Sequence, residues 1–442
     1  MNVNKKKILE ILAKEKVEFL RLQFIDILGI QKNVEVPKSQ FEKAVDGEIM
    51  FDGSSIDGFT RIEESDMILK PDMDSLLIFP WGEGRNKTAR ILCDVYTTDG
   101  KPFEGCPRYA LKKVVKEAKD IGFEMFVGPE PEFFLFNFDE KGEAVLDVHD
   151  NAGYFDLAPL DKGDDVRKEI VILLQNLGFE IEASHHEVAA GQHEIDFKYD
   201  SALKTADNIT AFTFIVRKVA KQFGLLATFL PKPVYGINGS GMHLNQSLFK
   251  DGKNAFYDPK MKYQLSQTAL YYIGGLLKHA KALVAITNPL VNSYKRLLPG
   301  YEAPVNIAWS LKNRSPLIRI PDKRGTATRV EFRVPDPSAN PYLAIAACLK
   351  AGLDGIKNKI TPPEAVVGNI FDFTEKEKKK YKIDTLPSTL SQALHYLKRD
   401  PIILDSLGEH ISKQFIYAKE NEWKRYSSQV HKWETDEYIT KY

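Results

Sequence analysis

The sequence predicts an α+β protein: a small domain first, then a large antiparallel sheet with helices packed outside it and a polar, concave inner face. Three observations predict it. At 442 residues the chain is long enough for two or more domains with ample buried core. Residues 1 to about 100 alternate one helix with short strands separated by turn-rich stretches. Beyond Pro107, strands with one polar face alternate with amphipathic helix patterns.

Taken in order, an amphipathic helix at the amino terminus precedes strands over 17–24, 32–36 and 89–95. Met50-Phe51-Asp52-Gly53-Ser54-Ser55 places an acid in a tight turn. A helix over 109–121 leads into a strand containing Gly128-Pro129-Glu130-Pro131-Glu132-Phe133-Phe134. Further helix patterns cover 165–177, 206–223, 264–281, 342–358 and 409–426. The charge run over 375–382 reads as a solvated loop or helix end. The tail after His431 carries Trp433, Tyr438 and Tyr442, rings expected to dock, with a neighbouring subunit as the natural partner.

The chemistry gathers in four segments, three strands and one hairpin. Glu130 and Glu132 stand two apart, so on a strand they share a face. A hairpin about Ala190-Gly191 puts Glu187 directly opposite Glu194. Like charges opposed in a ladder destabilise it, and a cation between them reverses the sign. Met242-His243-Leu244-Asn245-Gln246-Ser247 presents His243, Asn245 and Ser247 on one face. Arg329-Val330-Glu331-Phe332-Arg333-Val334 presents Arg329, Glu331 and Arg333 opposite an apolar face. Five carboxylates and one imidazole make an oxygen-rich set suited to two Mg²⁺ or Mn²⁺ ions, and argue against a thiolate-held zinc.

Other features set bounds. Sixty-one basic residues balance sixty-one acidic ones, so no global field recruits nucleic acid or a membrane. Cys93, Cys106 and Cys348 lack a metal or redox spacing and read as thiols in a reducing compartment. With no signal peptide or spanning segment, a soluble cytoplasmic protein is expected. No phosphate-loop pattern is present, so a bound nucleotide must be held by cations and by arginines among Arg296, Arg314, Arg319, Arg329 and Arg333. Pro299-Gly300-Tyr301-Glu302-Ala303-Pro304 reads as an ordinary turn or an active-site lid.

Phe51-Asp52-Gly53-Ser54-Ser55, Gly128 to Phe134, His193-Glu194-Ile195-Asp196, Asn238-Gly239-Ser240-Gly241-Met242-His243, Asn292 to Leu297, Asn313-Arg314-Ser315 and Arg329 to Arg333 together resemble the type I glutamine synthetases. The resemblance runs nearly end to end. It implies a β-grasp domain over 1–101 and a catalytic domain with a curved antiparallel sheet over 102–442. It further implies a dodecamer of two hexameric rings with active sites shared between adjacent subunits. Small nitrogen-regulatory proteins would be further partners.

By the same resemblance, Glu132, Glu187 and Glu194 hold one cation, and Glu130, His243 and Glu331 the other. The substrates implied are glutamate, ammonium and ATP, whose γ-phosphoryl group passes to the glutamate side chain. Arg314 and Arg333 would neutralise the transferring charge. Asp52 would take a proton from ammonium, with Tyr154 and Glu187 forming the ammonium site. Asn238, Gly239, His243 and Arg296 resemble glutamate-holding groups, and Ser247, Arg319 and Arg329 nucleotide-directed ones. Glu302 resembles the acid of a closing flap.

The short segment between Phe138 and Tyr154, with Asp384 where the longer subtype has a modifiable tyrosine, resembles the α subtype. Arg61 would then match an arginine linked to glutamine feedback. Three rival readings share parts of this chemistry. A γ-glutamyl ligase acting on polyamines or other amines would share the phosphoryl machinery but relax the ammonium pocket. A silent structural assembly would be expected to lose the metal carboxylates. A two-metal phosphohydrolase leaves a water-excluding flap unexplained.

Overall fold

Alternating burial along the strands builds two separate sheets. The structure, a computed structural model of the chain, describes residues 3–56, 58, 66–82, 84–299, 303–313, 315–368 and 370–442. Arg61, Glu302 and Arg314 lie outside the described residues.

The first sheet contains β1 (Phe19–Ile25), β2 (Gln31–Pro37), β3 (Ile49–Asp52), β4 (Asp66–Pro71), β5 (Leu77–Ile78) and β6 (Thr88–Thr97). Its order is β2-β1-β6-β4-β3 with β5 also on β6, and the β1–β6 pair is parallel while the others are antiparallel. Leu20, Leu22 and Phe24 of β1 are buried, two apart as a one-faced strand requires. Helix Val3–Lys14 adds Ile8 and Leu12 to that core. Asp52 ends β3, so the chain itself sets it on the first sheet.

The second sheet begins with β7 (Glu124–Phe138), which is joined by β8 (Ala144–Val148), β10 (Gln192–Phe197), β11 (Asp200–Ser201), β12 (Leu225–Thr228) and β13 (Met242–Lys250). Strand β9 (Ile181–His186) extends it beyond β10, and β14 (Lys253–Asn254) caps β13. On the other side follow β17 (Val330–Phe332), β16 (Pro316–Arg319), β15 (Asn306–Ser310) and β18 (Asp384–Thr385). All of these pairs are antiparallel except β15–β16.

Helices Ala202–Gln222, Gln267–Thr287 and Pro341–Lys357 form the outer layer. Phe212, Leu276 and Leu343 share one core with Phe133, Leu244 and Phe332 of the sheet. The last two of these helices meet through glycine: a Cβ on Gly275 would lie 2.0 Å from the Ala351 carbonyl oxygen, and one on Gly355 2.1 Å from that of Tyr271. Only glycine permits so close an approach.

Helices start or stop within a few residues of the sequence expectation, the largest shift being that of Gln267–Thr287, which runs on six residues past 281. Its additional turns are apolar and buried, so tertiary packing extends it. The charge run forms an exposed helix, Glu375–Lys380, with Thr374 and Glu377 in a capping box. All three cysteines are buried and free. The tail helix Lys432–Tyr438 buries none of its residues, and Trp433 and Tyr442 are exposed, so these rings do not dock on their own chain. Among the described residues no helix is long and apolar enough to cross a membrane.

One buried network in the helical layer carries a pH signature. His279 faces Asp400 at 2.6 Å through Nδ1 and Asp354 at 3.0 Å through Nε2. Burial works to lower the His279 pKa, but the two carboxylates outweigh it and raise the group above its ordinary value. A raised histidine contributes stability that is fully present below its unfolded pKa of about 6.5 and is lost as pH rises through the folded value. The wild-type melting temperature should therefore fall between mildly acidic and alkaline pH relative to His279→Gln. Parallel melting curves for the two proteins over that window would disprove the link.

Candidate active site

The ladder register places the acidic residues in one row across the second sheet. Glu194 of β10 pairs with Glu132 of β7, and Glu130 of β7 with His243 of β13. Asn245 of β13 then pairs with Glu331 of β17, which pairs in turn with Arg319 of β16. Because side chains alternate in period two, the members of this row point to the same side. Beneath them Val330, Phe332 and Val334 are fully buried in the apolar layer.

The hairpin corrects the sequence reading in one respect. Gln192 N–H donates to the Ala189 carbonyl at 3.0 Å, so Ala190 and Gly191 do occupy the turn, with Gly191 at φ +66°. Beyond it, however, His186 pairs with His193 and His185 with Glu194. Glu187 and Val188 are two extra residues on the β9 side, and Glu187 N–H donates to the Gln192 carbonyl instead. The residue opposite Glu194 is thus His185. A displacement of two residues preserves the face, so Glu187 still joins the same cluster.

A cavity of about 260 Å³ is lined by Glu130, Glu132, Glu187, Glu194, His243 and Glu331. Tyr154, Asn238, Gly239, Arg296, Arg319 and Arg333 complete most of its wall. Ligand atoms of Glu130, His243 and Glu331 come within 4.8 Å of one another, as do those of His185, Glu187 and Glu194. Glu331, fully buried, accepts from Arg333 Nη1 at 2.6 Å and from Arg319 Nε at 2.5 Å. Arg296 is buried and donates to the Val334 carbonyl at 2.8 Å. Gly239 lets the loop pass close to Pro231, where a Cβ would stand 2.2 Å from its carbonyl oxygen.

A neighbouring cavity of about 210 Å³ shares Glu130 and Asp196 with the first and adds Asn245, Ser247, Lys323 and Arg329. Arg329 Nε donates to Asn245 Oδ1 at 2.9 Å, and Asn245 Nδ2 to Glu130 at 2.8 Å, which ties the two cavities together. Asp52 lines neither, since it stands on the first sheet with its side chain exposed.

The electrostatics of the row test whether divalent cations fit it. Burial, then the charge of Glu187, pushes the Glu132 carboxyl up to about 8. Burial and the neighbouring Glu132 raise Glu194 well above the usual range, and burial with Glu194 takes Asp196 up to about 9. Glu130 stays below its ordinary value despite burial, through His243, Asn245 and Arg333. Mutually repelling, poorly solvated carboxylates suit hard divalent cations, whose charge would restore their ionised forms.

The sequence offered no role for three further residues: Gln192 and Asp196, which line the cavity, and His185, which stands beside Glu187 and Glu194. Gln192 donates to Glu132 Oε2 at 2.7 Å, His185 Nε2 approaches Glu194 at 3.3 Å, and Asp196 borders both cavities. Each stands two residues from Glu187 or Glu194, so the same period-two rule that paired Glu130 with Glu132 would have found them.

The β-grasp domain of glutamine synthetase matches residues 16–98, and its catalytic domain matches residues 104–438. The chain belongs to the glutamine synthetase family. Glutamine synthetase from Thermus thermophilus is 59% identical to it over 446 residues, covering all of both chains. That of Clostridium saccharobutylicum is 56% identical over 438 residues, covering 99% of each. Among solved glutamine synthetase folds, the cryoEM Plasmodium falciparum glutamine synthetase aligns at TM-score 0.88 with 27% identity, covering 98% of each chain. A GmaS/ADP complex aligns at TM-score 0.90 with 34% identity, covering 98% of this chain and 99% of that one. For this glutamine synthetase family member the small domain is thus the β-grasp module, and the carboxylate row belongs to the catalytic one.

Proposed function

We infer that this chain is a glutamate–ammonia ligase, forming glutamine from glutamate, ammonia and ATP with release of ADP and phosphate. The observation that carries this reading is the convergence of five carboxylates and His243 on one cavity in a chain so similar over its full length to glutamine synthetases. Glutamate attacks through its γ-carboxylate oxygen, the γ-phosphoryl group leaves ADP, and γ-glutamyl phosphate results. Ammonia then attacks the acyl carbon and phosphate departs, a far better leaving group than oxide.

Glu132, Glu187 and Glu194 would hold one Mg²⁺ or Mn²⁺ ion, and Glu130, His243 and Glu331 a second. Bound there, the cations would offset charge on the transferring phosphoryl group. Arg333 and Arg314 would add positive charge for the same purpose, while Arg319, read as nucleotide-directed, borders the same cavity. Asn238, Gly239, His243 and Arg296 line the end where glutamate would sit, while Ser247 and Arg329 line the adjoining cavity suited to the nucleotide. Tyr154 and Glu187 border the ammonium position, and Glu302 would close over it.

Asp52 stands on the first sheet, away from this cavity, and in our reading it serves the site of an adjacent subunit in a ring assembly. The exposed rings of Trp433 and Tyr442 favour contact between copies. We set the domain boundary between residues 101 and 102, and the reading keeps Arg61 as a contact for glutamine feedback. Buried free thiols accord with the cytoplasm.

The test is ATP-dependent product formation with ammonium against a panel of primary amines and polyamines. We expect glutamine as the main product, with kcat/KM for ammonium at least about tenfold above any amine, since ammonium is selected by charge and small size. Preference for an amine would replace this reading with that of another γ-glutamyl ligase.

A further inference from the structure

Behind the hairpin that bears Glu187 and Glu194 lies a group of buried ionisable side chains that the chemistry above does not use. Adjacent residues on a strand face opposite ways, so His186 and His193 point away from the cavity. They pair directly across the ladder and their rings meet edge to face at 4.8 Å. Both are buried, and so is Asp150.

The carboxylate of Asp150 gathers three stretches of chain. Its Oδ1 accepts from Gly191 N–H in the hairpin turn at 2.9 Å and lies 3.0 Å from His186 Nε2. Ala152 N–H, two residues before Tyr154, reaches the same oxygen at 3.4 Å. Lys162 N–H donates to Oδ2 at 3.1 Å. His186 Nδ1 in turn donates to the Glu187 carbonyl at 2.7 Å, and the His186 carbonyl accepts from Phe155 N–H at 3.1 Å. One side chain therefore links the backbone of Glu187, the turn leading to Glu194 and the loop bearing Tyr154.

Asp150, His186 and His193 have metal-like spacing, but a cation among them would meet Arg167, whose Nη1 already donates to His193 Nδ1 at 2.9 Å. Tethering fits the group better than ligation. We propose that Asp150 is a positioning residue that fixes the separation of Glu187 from Glu194 and holds Tyr154 beside them. The proposal rests on the reading of this cavity as the cation and ammonium site. Displacing donor atoms by about 1 Å is enough to cost a site much of its affinity or rate.

The experiment titrates the full-length protein with Mn²⁺, followed by electron paramagnetic resonance, alongside steady-state kinetics. Glu194→Gln and Glu331→Gln identify which binding class belongs to which side of the cavity. In Asp150→Asn we expect the Glu194 class to weaken by about 10- to 100-fold, as when groups supporting metal ligands are removed. The Glu331 class should change less than about twofold, and KM for ammonium should rise while KM for ATP holds. A lower melting temperature with both Mn²⁺ classes and ammonium KM unchanged would make Asp150 merely structural and overturn the proposal. If Asp150→Asn is recovered unfolded, His186→Gln, which leaves the carboxylate and its backbone donors in place, must weaken the same class or the idea is wrong. Failure of wild-type protein to bind Mn²⁺ at either class would instead overturn the reading of the cavity itself.

Discussion

Asp52→Asn should slow glutamine formation by roughly 10² to 10⁴, the usual contribution of a positioned general base. Phosphoryl transfer should survive. Ser54 donates to Asp52 Oδ1 twice, from its backbone N–H at 2.8 Å and from its hydroxyl at 2.7 Å. These two bonds hold the Asp52 carboxyl below its ordinary pKa and fix its orientation in the turn. An asparagine keeps a carbonyl Oδ1 for both donors and so keeps the turn. What it lacks is the basic second oxygen. The two half-reactions separate experimentally: γ-glutamyl phosphate formation is followed by phosphate release without ammonium, and amide formation by glutamine produced. Equal losses in both would remove Asp52 from proton transfer.

The second large effect is on stability. Arg108, buried in helix Pro107–Asp120, donates to Asp207 through Nε at 3.0 Å and Nη2 at 2.9 Å. It also reaches Asp94 at 3.0 Å and Asp72 at 2.6 Å, both from the first domain. Tyr342 donates to Asp207 Oδ1 at 2.7 Å, and Lys112 pairs with Asp94. Two domains and three helices therefore meet in one network centred on this guanidinium. Arg108→Met fills the volume but leaves these carboxylates without their main counter-charge, and losing one partner of a buried pair costs about 3–5 kcal/mol. Denaturant unfolding should show a loss of that size, and Arg108→Met combined with Asp207→Leu should recover part of it. A loss under about 1 kcal/mol would mean that solvent screens the network as it does a surface pair.

Much of the site was legible because its donors obey a local rule. Glu130 with Glu132, and Arg329 with Glu331 and Arg333, are two apart on strands, and spacing alone decides their common face. The hairpin was legible in its turn residues but not in its register. Glu187 and Val188 loop out between paired residues, and the hydrogen bond from Gly191 to Asp150, forty-one positions away, has no local trace. Asp150 itself gave no signal, since a lone aspartate beside Asn151 and Ala152 reads as a turn.

The α+β class, the positions of the long helices, the shared faces of the site residues and, through ordered motifs, the resemblance to glutamine synthetases could all be read along the chain. These follow from periodicity and local chemistry, which each stretch of chain carries alone. Tertiary structure decided which strands adjoin: β10 on one part of β7 and β13 on another bring Glu194, Glu132, Glu130 and His243 into one row. It also decided the hairpin register, the convergence of Asp72, Asp94 and Asp207 on Arg108, and the separation of Asp52 from the cavity. Those depend on strand pairing and helix packing between residues far apart in the chain, where burial and hydrogen-bond satisfaction over the whole fold select one arrangement.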